Sequence, residues 1–141
     1  MNNSIKFTES ADKTIKSASE IAIKLGTNQI ASEHILYGLL SVTSSLASKK
    51  LKDLGVSKEK LQTLFMQNAN HYYMTSNQME LSPVSKNIIS IAQNLSIRLA
   101  HNFVSAEHIL LATLYSEDCY ADKILETYFK VNIERLRESL Y

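Results

Sequence analysis

Two Glu-His pairs, Glu33-His34 and Glu107-His108, are the residues most capable of chemistry in this sequence. Carboxylate and imidazole both ligate metals and both move protons. Adjacent residues on a helix diverge by about 100°, so neither pair can chelate an ion as two histidines four apart would. A metal-dependent hydrolase would therefore need the two pairs to share one site. The competing reading gives each residue a duty at a helix start, where a first-turn glutamate complements the dipole and a histidine packs and hydrogen-bonds. The one cysteine, Cys119, lies in Glu117-Asp118-Cys119-Tyr120, where neighbouring carboxylates raise a thiol's pKa rather than activate it. The sequence contains no Walker-type phosphate loop, no dinucleotide fingerprint and no nucleophile paired with a base. It predicts neither an enzyme nor a bound cofactor.

Helices are the elements that must position these pairs. Only three glycines and one proline punctuate 141 residues, and the long Ala, Ile, Leu, Lys and Ser stretches between them favour helix. Thr8 is placed to cap a helix with the apolar stripe Ala11, Ile15, Ala18, Ala22 and Leu25, with Phe7 as a hydrophobic staple and Gly26 as its stop. Ser82 and Pro83 start an equivalent helix carrying Ile88, Ile91, Ala92, Leu95 and Leu99. Short loops ending in Ser32 or Ser105 lead into apolar helices that begin at the Glu-His pairs and look buried. A third helix is expected over about Ser45 to Leu54, closed by Gly55, and a fourth after Ser57, with the pattern recurring from Asp118.

The chain repeats itself at an offset of 74 residues, which lays Leu25 on Leu99, Asn28 on Asn102, and Glu33-His34-Ile35-Leu36 on Glu107-His108-Ile109-Leu110. The first copy is expected over about 5–67 and the second over about 81–141, within a single domain. Between them, the aperiodic polar stretch of about 68–80 reads as a surface linker. Its Tyr72, Tyr73, Met74 and Met79 either grip a partner or cover the seam between the copies.

A hydrophobic content of 45% suffices for a core without metal or disulfide. A net charge of +1 and a pI near 7.8 supply no basic field for a phosphate backbone, which argues against a nucleic-acid partner. No apolar run approaches the roughly 20 residues that span a bilayer, and no secretory leader is recognisable. The expectation is a cytoplasmic protein with no membrane partner.

The segments Phe7-Thr8-Glu9, Leu25-Gly26-Thr27-Asn28, Ser32-Glu33-His34-Ile35-Leu36 and Ala106-Glu107-His108-Ile109-Leu110 resemble the Clp N-terminal domain, and look most similar to that of ClpC-type AAA+ unfoldases. The resemblance covers nearly the whole chain. It implies an all-α fold of two tandem four-helix repeats packed with pseudo-two-fold symmetry, and a non-catalytic role recruiting substrate proteins or adaptor proteins. Clp ATPase domains would follow in cis if the chain is a fragment, which is favoured here over a free-standing relative. The resemblance also implies binding of phosphoarginine on clients, with one pocket per repeat. Such a pocket must join a carboxylate for the guanidinium to N–H donors for the phosphoryl group. By position, Glu33 and Glu107 would hold the guanidinium, while Thr8 and Ser82 with their helix starts would take the phosphoryl group. The alternative keeps the fold as an adaptor-docking or free-standing binding module with no anion pocket.

Overall fold

Capping chemistry sets most of the helix boundaries. In the computed structural model, which describes residues 6–141, the Thr8 hydroxyl accepts from the Ala11 N–H and opens α1 (Glu9–Leu25), and Gly26 closes it at φ 87°. The expected start of the first copy, at about residue 5, lies outside the described residues. Ser82 opens α5 (Pro83–Arg98) in the same way, accepting from the Ser85 N–H. That helix ends at Ala100, which adopts φ 60° where the first copy has glycine. Each long helix lies against a nearly wholly buried one, α2 (Ser32–Ser41) on α1 and α6 (Ala106–Tyr115) on α5.

The first copy continues through α3 (Leu46–Asp53) and α4 (Lys58–Gln67), capped by the hydroxyls of Ser45 and Ser57. The second copy is less regular. Its third helix, α7 (Tyr120–Lys123), runs on into a π-helical turn over Ile124–Tyr128, and α8 (Ile133–Glu138) follows.

Four two-residue strands, which the helical reading did not anticipate, tie the copies together. β1 (Lys6–Phe7) runs parallel to β4 (Phe103–Val104), and β2 (Gln29–Ile30) runs parallel to β3 (Glu80–Leu81). A shift of 74 residues carries β1 onto β3, β2 onto β4 and α2 onto α6, so exchanging the copies maps one strand pair onto the other. This is the pseudo-two-fold relation, and each strand pair contains one strand from either side of it.

Of the expected core faces, Ala11, Ala18, Ala22, Ile88 and Ala92 are fully covered and Leu95 is buried, while Ile15, Leu25, Ile91 and Leu99 are half-buried at the margins. Gly38 of α2 marks the closest approach of α1, because a Cβ there would overlap the Thr14 carbonyl oxygen. Ala112 stands at the same place in α6.

The linker divides its aromatics between the two expected duties. Tyr72 and Met79 pack against the core, whereas Tyr73 and Met74 are 68% and 55% exposed. Asn28, itself buried, holds the linker in place. Its Oδ1 accepts from the backbone N–H (2.8 Å) and hydroxyl (3.0 Å) of Thr75, and its Nδ2 donates to the Gln78 carbonyl at 2.9 Å.

Candidate functional site

In each Glu-His pair the two side chains do separate work. Both histidines are the third residue of their helix and turn Nδ1 back to accept the N–H of the residue before it. His34 accepts from Ala31 and His108 from Ser105, each at 2.9 Å. They thus take the place of the glutamate or glutamine in a capping box. This is the helix-start role that the residue types suggested.

Because Nδ1 accepts, the proton of each neutral ring resides on Nε2. His108 therefore donates from Nε2 to His101 Nδ1 at 2.8 Å. His34 has only the rings of Phe65 and Tyr72 around it, with centroids 5.8 and 5.4 Å away, and its Nε2 has no hydrogen-bond partner among the described residues. Burial holds the His34 pKa down to about 4. It lowers that of His108 too, with His101 pushing the same way and Glu107 opposing.

The glutamates point elsewhere. Glu107 is half-buried, and its Oε2 accepts the Ala47 N–H at 2.9 Å, so it caps α3 of the opposite copy. In the mirrored position the Ser32 hydroxyl caps α7, accepting the Ala121 N–H at 3.1 Å. Glu33, relieved of that duty, is 7% exposed and accepts the Tyr72 hydroxyl at 3.1 Å. Burial raises the Glu33 pKa, while hydrogen bonds from its own backbone and from Tyr72 pull it back. Burial and the facing Glu33 carboxylate push the Tyr72 phenol far up.

The strand pairs decide which helix start adjoins the segment leading into which Glu-His pair. The Thr8 N–H donates to the Val104 carbonyl at 2.9 Å, and Ser10 Oγ lies 3.4 Å from the Ala106 N–H. The Ser82 N–H donates to the Ile30 carbonyl at 3.0 Å. Thr8 thus adjoins the segment leading into Glu107, and Ser82 the segment leading into Glu33. Each junction draws on both copies rather than one. Spacing could not show this, because which halves adjoin is set by pairing between distant segments, the strand pairs among them.

The two junctions differ in openness. A groove of about 250 Å³ lies beside Glu107, lined by His101, Phe103, Ser105 and His108. Tyr72 covers the carboxylate at the other. The residues that sequence reasoning missed here are Tyr72, which it placed in the linker without a target, and Ala47 and His101. None carries a sequence signal toward its partner.

Among the described residues, no three His, Cys, Asp or Glu side chains gather as a metal-ligand group. No helix of the described residues is long and apolar enough to cross a membrane. Cys119 is buried, and burial is the main cause of its raised pKa. The carboxylate that adds to the effect is Asp122 of α7 rather than its neighbours in sequence.

The family model of the Clp repeat (R) N-terminal domain matches residues 6–128. The chain is 31% identical over 135 residues to the negative regulator of genetic competence ClpC/MecB of Bacillus subtilis (strain 168), covering 96% of this chain and 16% of that relative. It spans about one sixth of the length of the curated relatives it matches first. Among solved structures, the N-terminal domain of the chaperone ClpD from Arabidopsis thaliana superposes with a TM-score of 0.77 at 19% identity, covering 96% of this chain and 94% of that one. The Hsp104 N-terminal domain from Candida albicans gives a TM-score of 0.76 at 16% identity, covering 96% and 89%.

Proposed function

Because this chain belongs to the Clp repeat N-terminal domain family, we propose that it is a non-catalytic protein-interaction domain that recruits substrates or adaptors to a Clp-type AAA+ unfoldase. We further propose that it engages clients through phosphoarginine at the junction of Thr8 with Glu107. The observation that carries this reading is the β1–β4 pair, which brings the start of α1 beside the segment of the other copy that leads into the half-buried Glu107.

The chemistry of that junction suits the ligand. A carboxylate offers about four acceptor positions, and Ala47 takes one of those on Glu107 Oε2, which leaves Oε1 for a guanidinium. At the start of α1, Thr8 satisfies only the Ala11 N–H, so Glu9 and Ser10 keep N–H groups without intrahelical acceptors. The Glu9 side chain, whose charge would oppose a phosphoryl group, turns to solvent and pairs with Lys13 at 3.0 Å. The Ser82 junction is poorer on both counts. Pro83 removes one first-turn donor, and Tyr72 occupies Glu33.

A specific observation supports the second reading, an interaction domain with no anion pocket. Both glutamates already have protein donors. NMR titration with free phosphoarginine separates the two. The expected result is shift changes at residues 8–10 and 106–108 that vanish in Glu107→Ala and persist in Glu33→Ala. No shift change at millimolar ligand would leave the second reading standing.

A further inference from the structure

Away from both junctions, a groove of about 440 Å³ opens where the last turn of α3 faces the start of α8. Its volume falls within the roughly 300–1,000 Å³ of ordinary ligand pockets. Val131 and Leu136 form a buried floor, and Leu54, 45% exposed, extends it to the surface. Lys50, Lys130 and Arg135 line the rim against a single carboxylate, Asp53. The groove thus has two positive charges in excess, more than the +1 of the entire chain. Among the described residues the ion pair found is Glu9 with Lys13, so none of these three cations is neutralised by an internal partner. Lys130 sits at φ 59°, a left-handed conformation disfavoured by a Cβ, where the equivalent turn of the first copy uses Gly55.

From this charge complementarity we propose that the groove docks a short acidic segment of a partner protein. An apolar side chain of the segment rests on Leu54, Val131 and Leu136, and its flanking carboxylates face Lys50, Lys130 and Arg135. A single-stranded nucleic acid would also carry negative charge, but it binds by stacking bases on aromatic rings, and this groove has no aromatic lining residue. Asp53 interrupts the cationic rim where a uniform run of phosphates would meet it, and it can accept a backbone N–H from a peptide.

The test is fluorescence anisotropy with a labelled peptide in which one leucine is flanked by aspartates and glutamates. A lysine-flanked peptide, a short single-stranded oligonucleotide and inorganic phosphate serve as the other arms. The acidic peptide is expected to bind at about 50 mM salt and to lose affinity at least about tenfold in the Lys50→Glu, Arg135→Glu double variant, and again on raising salt to about 0.5 M. Leu54→Asp should weaken it independently. All three positions are at least partly exposed, and circular dichroism verifies that the variants fold. Absence of binding, binding unchanged by charge reversal, or equal binding of the oligonucleotide or of phosphate would each overturn the proposal. Free phosphoarginine should not displace the acidic peptide, so failure here is distinct from failure at the phosphoarginine junction.

Discussion

Glu107 has one oxygen committed to α3 and another open to a ligand, and the two duties can be separated by substitution. Glu107→Ala removes the acceptor for the Ala47 N–H, and thermal or urea unfolding should show a loss of about 1 kcal/mol. Glu107→Gln keeps an acceptor oxygen and should restore most of that stability while still abolishing the proposed guanidinium contact. His34 supports a prediction about pH. Its folded-state pKa of about 4 lies below the ordinary 6.5, so between these values the unfolded chain binds more protons than the folded one. Its contribution is complete above pH 6.5 and is lost as pH falls through that window. Against a His34→Gln variant, which keeps an acceptor at the capping position, the parent should lose up to about 3 kcal/mol between pH 7 and 4. The raised pKa of Glu33, and that of Asp122 at about 7, act in the opposite sense, because those groups favour the fold at low pH. The difference between parent and variant in urea titrations isolates the histidine. At this scale the sequence revealed the pairs and their place in the first turn. It did not reveal Ala47 or Tyr72, which stand 60 and 39 residues from the glutamates they meet.

Among the elements, the α1–α2 crossing is the tightest and the least tolerant of added volume. Gly38→Ala would drive a methyl into the Thr14 carbonyl, and the strain should lower stability by at least about 2 kcal/mol in thermal or urea unfolding. Ala18→Leu, at the same crossing, should overpack by about 1 to 3 kcal/mol. The reverse change in the second copy, Ala112→Gly, introduces no such clash and should cost about 1 kcal/mol for glycine in a helix plus roughly 1 kcal/mol for the buried methyl it removes. An undiminished melting temperature for Gly38→Ala would contradict this account of the crossing. Helix starts at Thr8, Ser57 and Ser82 were legible because a side chain caps each one locally. The strands were not, since two residues cannot show alternation and their stability comes from the opposite copy. The π-turn over Ile124–Tyr128 was hidden for a related reason, because its composition is that of an ordinary helix.

Taken as a whole, the molecule has two copies that complete each other. Both strand pairs, the Glu107 cap on α3 and the Ser32 cap on α7 cross between them. The buried faces of α2 and α6 meet at the centre. A polypeptide of residues 1–67 alone should therefore be largely unfolded by circular dichroism, since apart from α1 its helices are 8 to 10 residues long and helices below about 12–15 residues are marginal without packing. Mixing it with residues 68–141 should restore helicity. An independently folded first half would contradict the interlocked arrangement. The 74-residue offset made the duplication legible, but not which half of one copy lies beside which half of the other, because that depends on pairing in space.

Tyr72 has a consequence for valency. Tethered by the linker, its hydroxyl holds Glu33 at high effective concentration, and any guanidinium brought to that carboxylate would have to displace it. Under the proposed phosphoarginine reading, a duplicated scaffold that looks bivalent should then behave as univalent toward a client with two modified arginines, which would gain no avidity until the tyrosine swings away.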